Sequence, residues 1–330
     1  TFSIDGIVDN AVWTNEFLHI KRENSAFWAD ASLRTSDIER LAADGQRILY
    51  DDDDSRYDIM LTNADGGRSN IFSTQLSAAW ENGVALTMSY TNQNVTDVNP
   101  GTSSTATSNY RFSPGINLNT PENHLGRGRF EIEHRLMLNL SYSTQLLEGY
   151  DTDMNLFMSR RSGQPVTNTA NMDRNLIRNS LAPGFTSGNF LAYIPTAGDP
   201  NVVYDGVSEA DLLASIEAAG LSQFAGGFAP ENFAATPYIN SVDLAITQEV
   251  PGFMKGHKGS VYFVFENVLN FFDNAAGKAY DSSFGTLRLY DVDSIDAQGR
   301  YVIDRIQDDS FDFDADSSIW KVKIGVRYTF

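Results

Sequence analysis

The sequence contains no cysteine among its 330 residues. Disulfide bonds and cysteine-ligated zinc or iron–sulfur sites are therefore excluded for this chain. The compartment stays open, because many periplasmic and outer-membrane proteins also lack cysteine.

Positive charge and long apolar runs are also scarce. The chain has 24 Lys and Arg against 43 Asp and Glu, and its net charge of −19 argues against a nucleic-acid-binding surface. No run of about 18 apolar residues occurs, so no membrane-spanning helix is predicted. A spanning β-barrel is not excluded, because its strands need only alternating apolar residues.

Signatures of processing and of catalysis are missing as well. The first residues, Thr1-Phe2-Ser3-Ile4, do not form a signal peptide, so we expect a chain that starts after processing or within a longer protein. There is no phosphate-binding glycine loop, nucleophile elbow or HExxH helix. No metal-ligand spacing relates the four histidines, His19, His124, His134 and His257. We therefore expect no enzymatic activity.

What the chain does contain is strand alternation, most clearly in its last thirteen residues. The two sides of this segment differ in chemistry. One side carries Trp320, Val322, Ile324, Val326, Tyr328 and Phe330, and the other carries Lys321, Lys323, Gly325, Arg327 and Thr329. Successive strand residues point to opposite faces, so one face meets an apolar medium and the other a polar one. A soluble sandwich would expose the polar face, whereas an outer-membrane barrel turns the apolar face to lipid.

The same alternation predicts seven further strands, in residues 3–21, 69–81, 84–91, 129–147, 154–161, 238–249 and 261–271. Three short turns join them in pairs, and Asn82-Gly83 has the composition of a tight hairpin. Residues 22–68, 92–128, 162–235 and 273–317 are predicted to be long loops. They include a helix at residues 36–43 and another at residues 208–220, capped by Ser208 and ended by Gly220.

The connections alternate between long and short along all eight strands. Outer-membrane barrels have short periplasmic turns and long extracellular loops, so the pattern favours a barrel over a sandwich. The predicted fold is an all-β, antiparallel transmembrane β-barrel with long extracellular loops. Eight strands could close a small barrel. However, more than half of the chain lies outside strands, which favours part of a larger barrel.

Several short stretches resemble the C-terminal part of TonB-dependent outer-membrane receptors, within their Oar-like branch. The stretches are Asp44-Gly45-Gln46-Arg47-Ile48-Leu49-Tyr50, Arg129-Phe130-Glu131-Ile132-Glu133-His134-Arg135-Leu136, Ser159-Arg160-Arg161-Ser162-Gly163-Gln164-Pro165, Asn189-Phe190-Leu191-Ala192-Tyr193-Ile194-Pro195, Phe265-Glu266-Asn267-Val268-Leu269-Asn270 and the final strand ending in Phe330.

This resemblance implies a barrel of twenty-two strands that encloses an N-terminal plug and is driven by the TonB energy-coupling complex. Residues 1–330 would then be the C-terminal part of that barrel, without a plug domain. The implied location is the bacterial outer membrane. The implied partners are the plug, the remaining barrel strands, the coupling complex, outer-membrane lipid and the barrel-assembly machinery. That machinery would read the signal formed by Trp320, Tyr328 and Phe330.

Two kinds of binding residue are candidates. Asp312, Asp314 and Asp316 alternate in an acidic run and offer oxygen ligands to calcium, although the glycine and glutamate of an EF-hand loop are missing. Solvated acidic loop residues are the alternative. No other cofactor is predicted. Aromatic residues of the longest loop, Phe185, Phe190 and Tyr193, either line a ligand entrance or pack the loop on itself.

Two functions follow from these observations. The first is an Oar-like, TonB-dependent transporter or export-associated receptor, whose loops form an extracellular gate. The second is a free-standing outer-membrane barrel that serves in adhesion or as a structural surface protein.

Overall fold

The structure is a computed structural model that describes residues 11–35, 38–50, 58–99, 101–117, 119–173, 186–282 and 285–330. Its strands are β1 (Val12–Lys21), β2 (Ser25–Asp30), β3 (Ile38–Leu41), β4 (Ile48–Tyr50), β5 (Ile59–Ala64), β6 (Arg68–Ala79), β7 (Val84–Asp97), β8 (Gly126–Arg127), β9 (His134–Leu147), β10 (Tyr150–Arg161), β11 (Pro165–Asp173), β12 (Thr186–Leu191), β13 (Tyr193–Ile194), β14 (Val202–Tyr204), β15 (Gly227–Phe228), β16 (Ala234–Ala235), β17 (Ile239–Pro251), β18 (Lys258–Glu266), β19 (Ala279–Asp281), β20 (Thr286–Ile295), β21 (Tyr301–Ile306), β22 (Asp312–Asp314) and β23 (Lys321–Thr329). Its helices are α1 (Ala106–Arg111), α2 (Glu209–Ala218), α3 (Val268–Phe272) and α4 (Ala315–Ser318), with short 3-10 turns at Pro121–His124 and Ser222–Phe224.

Eight long strands form one antiparallel sheet in the order β1-β6-β7-β9-β10-β17-β18-β23, and β8 pairs with β7. Every strand of this order pairs with the strand that follows it in the order. The predicted antiparallel, predominantly β architecture is confirmed. Within the described residues, however, no strand joins β1 to β23, so the sheet is open and the predicted closed barrel is not found.

Short turns connect three of the strand pairs, as the sequence predicts. Gly83 follows Asn82 in the turn between β6 and β7 and has a φ of +87°, a conformation that side chains other than glycine rarely adopt. A Cβ at this position would also lie 2.1 Å from the carbonyl oxygen of Ser143 on β9. Gly149, between β9 and β10, has a φ of +79°. Both hairpins therefore depend on a glycine.

The four long connections between the paired strands are folded rather than loose. Strands from the third and fourth connections build a second sheet in the order β12-β11-β20-β21-β14, with β16 paired to β11. The β11–β20 and β14–β21 pairs are parallel and join segments far apart in sequence. The first connection adds the pairs β2–β5 and β3–β4. We call the folded body of the four connections the cap.

The hydrophobic core of the protein lies in the cap. All four connections contribute to it, with buried residues Leu33, Ala42, Leu49, Tyr50, Tyr110, Ala170, Met172, Phe190, Ala192, Tyr193, Ile194, Val202, Leu212, Ile216, Leu221, Ala229, Leu289, Tyr290, Val292, Tyr301 and Ile303. In contrast, every residue of β1 is exposed to solvent, and so is nearly all of β23. The side chains of the long sheet therefore do not form the main core.

Several local predictions for the connections need correction. The predicted helix at residues 36–43 is wrong, because Ile38–Leu41 form β3 and pair with β4. The predicted start of a loop at residue 92 is too early, since β7 extends to Asp97. The predicted helix at residues 208–220 is confirmed as α2. Its Ser208 hydroxyl accepts a hydrogen bond from the Asp211 amide at 3.4 Å, and Gly220 follows with a φ of +72°.

The strand predicted at residues 129–147 begins later, as β9 at His134. A turn interrupts the alternation before it, because the Glu131 amide donates to the Gly128 carbonyl at 3.1 Å. The Glu131 carboxylate also binds Arg127 and the Val95 amide, each at 2.5 Å. These polar contacts fix the segment in front of β9 as a turn.

Arg47 holds the connections of the cap together. This residue of the first connection is fully buried, and it donates hydrogen bonds to the Tyr301 hydroxyl at 3.0 Å and the Leu191 carbonyl at 2.7 Å. Its guanidinium carbon also lies 5.2 Å from the ring centre of Phe190 and 5.0 Å from that of Phe228. A buried cation stabilises a structure only when such partners replace water, so Arg47 fixes the arrangement of three connections.

Among the described residues, the longest helix is α2, with ten residues. The described part of the chain contains no helix with the length and apolarity to cross a membrane.

Replacing Arg47 with methionine tests this role. Arg47→Met leaves the Leu191 carbonyl without a donor in a buried site, and we expect the free energy of unfolding of the cap to fall by about 3 kcal/mol. Urea unfolding, monitored by the protease susceptibility of the connections, measures this decrease in the free energy of unfolding. Arg305→Met is the control, because the Arg305 side chain is 68% exposed and its ion pair with Asp291 is long, at 3.7 Å. Equal stability of the two variants would contradict the role of Arg47.

Candidate functional site

One face of the eight-stranded sheet carries rows of apolar side chains that extend from edge to edge, and we call it the apolar face. Side chains directly opposite each other on paired strands share a face, so the register defines rows that cross the sheet. One row contains Val322, Phe265, Leu244, Leu156, Leu140, Leu86 and Ala78. The next contains Ile324, Phe263, Ile246, Met154, Tyr142 and Val84. A third contains Val242, Met158, Leu138, Met88, Leu76 and Trp13.

Many of these side chains have no cover in the structure. Ile324 is 74% exposed and Val326 is 80% exposed. Contiguous apolar patches of more than a few hundred Å² are rare on soluble monomers and mark surfaces that contact protein or membrane. The apolar face is therefore the main candidate functional surface.

The opposite face of the sheet is polar. One row across it contains Gly325, Tyr262, Thr247, Asp153 and Ser143. Charged residues on this face pair with each other, as Lys258 does with Glu249 at 2.6 Å and Lys323 with Glu266. A polar face with internal ion pairs suits contact with water, so the two faces differ as the sequence predicts.

Aromatic clusters mark both ends of the apolar face. At the cap end, the ring of Trp320 lies 5.9 Å from that of Phe265 and 5.3 Å from that of Phe271. At the turn end, Tyr328 stacks on Phe253 at 5.6 Å. Eight residue steps separate Trp320 from Tyr328, or roughly 26 Å at about 3.3 Å per residue. Aromatic girdles of membrane barrels flank an apolar band about 25 Å tall.

The predicted assembly-signal residues thus occupy defined positions. Trp320 lies at the cap end and Tyr328 at the turn end, where its hydroxyl accepts a hydrogen bond from the Phe253 amide at 3.2 Å. Phe330 follows β23 and is 93% exposed. The structure therefore separates these residues along one strand, and their role in assembly stays a prediction.

The predicted loop-contact residues have a different position. Phe190 and Tyr193 are buried in the core of the cap, at 0% and 2% exposure. Phe185 lies outside the described residues. Phe190 and Tyr193 therefore follow the second alternative, in which the aromatic residues pack within the connections.

The three candidate calcium ligands lie in β22 and α4. Asp314 caps α4 by accepting a hydrogen bond from the Ser317 amide at 3.1 Å, and the hydrogen bonds from Ser317 lower the pKa of this carboxyl. Asp312 lies opposite Asp281 in the β19–β22 pair, and Asp316 belongs to α4. No group of three or more Asp, Glu or His suited to a metal ion occurs among the residues that the structure describes. Calcium binding at these residues stays a prediction.

Three of the stretches that carry the family resemblance hold the cap in place. Gly163 leaves room for the backbone of residue 236, because a Cβ at Gly163 would lie 1.7 Å from the Thr236 carbonyl oxygen. Asn267 has a φ of +52° and donates to the carbonyl oxygens of Gly277 at 2.9 Å and Ser318 at 2.5 Å. Together with Arg47, these residues make structural contacts that hold the cap together. We call them its fasteners.

A buried carboxyl group lies where the sheet meets the cap, and no pattern in the sequence predicts it. Glu231 is only 7% exposed, and burial raises its pKa well above the usual value. The charge of Asp97 raises this pKa further, whereas the Arg129 guanidinium opposes the rise. Burial also lowers the pKa of Arg129. Two clefts of about 350 and 460 Å³ open beside Arg129 and share Gln164 and Asp281 in their walls.

No protein-family model matches this chain, and neither a curated protein nor a solved structure matches it. The resemblance to TonB-dependent receptors therefore stays a proposal that rests on the sequence motifs.

Glu231→Gln tests the electrostatics of the junction. A carboxyl group whose folded pKa is raised destabilises the fold as pH rises above its unfolded value of about 4.3. We therefore expect Glu231→Gln to match the wild type near pH 4 and to be more stable at pH 8. Thermal denaturation across this range measures the difference. The exposed Glu217 of α2 supplies the control Glu217→Gln. The difference in stability between this variant and the wild type should change little with pH. A difference between Glu231→Gln and the wild type that stays constant with pH would contradict the buried carboxyl's role.

Proposed function

We propose that this chain is the C-terminal part of the wall and extracellular gate of an Oar-like, TonB-dependent transporter in the bacterial outer membrane. The eight-stranded sheet spans the membrane, and the cap lies on the extracellular side. The observation that carries the proposal is the apolar face, which crosses all eight strands and has an aromatic cluster at each end of β23, while the hydrophobic core lies in the cap.

This distribution favours a membrane over a soluble sandwich. A sandwich buries the apolar faces of its two sheets against each other. Here the second sheet belongs to the cap core, and the apolar face of the long sheet stays uncovered along β1 and β23. Lipid provides an apolar environment for such a face without a second layer of protein.

The open edges favour a wall that continues beyond these eight strands. In the described part of the chain, β1 and β23 each pair on one side only. Unpaired backbone groups at a sheet edge are costly in lipid, so a spanning sheet needs further strands or closure. Additional wall strands pairing with β1 and β23 satisfy this requirement, as the resemblance implies.

The cap supports the proposed gate. It is built from the long connections at one end of the sheet, and its packed core gives it a defined shape. Energised uptake or export-associated transport would further require the N-terminal plug and the TonB complex as partners. Insertion would depend on the barrel-assembly machinery acting on β23.

A cysteine scan across β23 tests the membrane assignment. The chain has no cysteine, so Ile324→Cys on the apolar face and Lys323→Cys on the polar face each offer one site in this chain for a bimane fluorophore. In proteoliposomes with lipids brominated on their acyl chains, we expect strong quenching at residue 324, because this side chain faces lipid. The label at residue 323 should remain bright.

The neighbouring position is the matched control, since the two residues share a strand and differ only in the face they occupy. Equal quenching at residues 323 and 324, or none at either, would contradict a membrane-spanning sheet.

The packed cap also favours a second candidate function, in which a free-standing surface barrel binds a partner through the cap. The mass of the polypeptide extracted from outer membranes separates the two. A much heavier polypeptide ending in this sequence is expected for the transporter. A polypeptide with the mass of this chain alone would favour the adhesion or structural protein.

A further inference from the structure

Two cations face each other on the apolar face where it borders the cap. Lys21 and Arg68 are directly opposite in the last step of the β1–β6 register. Like charges directly opposite on paired strands destabilise a sheet. A negative charge between the two side chains would relieve this repulsion.

Other cations near this pair form ion pairs with carboxylates of the protein. Arg22 lies 3.2 Å from Asp97, and Arg127 lies 2.5 Å from Glu131 and 2.9 Å from Glu133. In the part of the chain that the structure describes, Lys21 has one carboxylate partner, Glu23 at 3.8 Å, and both of these side chains are more than 70% exposed. Among the described residues, no carboxylate lies within 4.0 Å of the Arg68 guanidinium. In a chain with a net charge of −19, two neighbouring cations without a strong internal partner are unusual.

The position of the pair relative to the apolar residues is informative. Along β1 and β6, the paired residues change from Phe17 and Phe72 to His19 and Asn70, and then to Lys21 and Arg68. Each step is two residues, or roughly 6.6 Å, so the cations lie about 13 Å beyond the aromatic pair. Lipid presents the same order, with acyl chains, then a polar boundary, then phosphate. A cleft of about 920 Å³ opens beside both cations, and Arg22, Glu23 and Asp65 also line it.

We propose that Lys21 and Arg68 bind the phosphate group of a membrane lipid at the cap-side border of the apolar face. Arg68 offers a planar fork of donors that matches phosphate oxygens, and Lys21 adds a second positive charge. One phosphate between the two cations replaces their repulsion with two attractions. The choice of lipid as the source of the phosphate rests on the proposed function.

The test compares the protein in neutral detergent with the variant Lys21→Gln/Arg68→Gln. Native mass spectrometry measures the retention of phosphatidic acid, with phosphatidylcholine as the zwitterionic probe. We expect the wild type to retain phosphatidic acid preferentially and the variant to bind it roughly ten- to thirtyfold more weakly. The control Lys323→Gln/Arg327→Gln removes the same charge from the polar face and should retain the lipid as the wild type does.

Thermal denaturation separates a loss of lipid binding from a loss of folding stability. Without lipid, the double variant should be at least as stable as the wild type, because the repulsion between residues 21 and 68 is removed. Phosphatidic acid should raise the Tm of the wild type and not that of the variant. Equal retention of the lipid by wild type and variant, or equal loss in the control, would overturn the site.

Inorganic phosphate forms the last arm of the experiment. A similar rise in Tm with inorganic phosphate, and no preference for phosphatidic acid, would overturn the lipid assignment and identify a site for a soluble anion. The measurement needs no bilayer, so it is independent of the quenching at residue 324. Phosphate binding without quenching at residue 324 would contradict the proposed membrane function and still support the anion site.

Discussion

Backbone hydrogen bonds between neighbouring strands hold the eight-stranded sheet together, because its side chains contribute little core of their own. The apolar side chains of β23 point into open space, and those of β1 do the same. A sheet of this kind needs an apolar environment on one face and a device that fixes its ends. The cap fixes the ends of the strands. The need for an apolar environment is the reason for proposing that the sheet lies in a membrane.

The cap in turn depends on a small number of polar fasteners. Arg47 joins three connections through Tyr301, Leu191 and Phe190. Asn267 donates hydrogen bonds to two carbonyl groups of the fourth connection, one near its start and one near its end. These residues lie in the stretches that resemble TonB-dependent receptors. The resemblance therefore concerns how the connections are held, which is a property of the fold more than of a ligand site.

The strands could be predicted from the sequence because their signal is local. Alternation with a period of two identifies a strand and its faces within ten residues, as in β23, and Asn82-Gly83 identifies the hairpin before β7. The helix α2 carried its own cap in Ser208.

The cap could not be predicted in this way, because its contacts are distant in sequence. The strands β11 and β20 pair in parallel although more than a hundred residues separate them, and both β13 and β15 have only two residues. Arg47 and Glu231 appear as ordinary loop residues until distant segments bury them. Lys21 ends a predicted strand and Arg68 ends a predicted loop, and only the register shows that the two residues oppose each other on paired strands.

The positions of the fasteners restrict how a gate could move. Separating the connections from each other would expose Arg47 and leave its buried partners unsatisfied, which is costly. The junction between cap and sheet is different, because it contains two clefts and the charged residues Arg129 and Glu231. Motion at a polar, incompletely packed boundary disrupts fewer contacts than motion through a core. Under the proposed gate function, moving the cap as one body at this junction would therefore cost less free energy than separating its connections from each other.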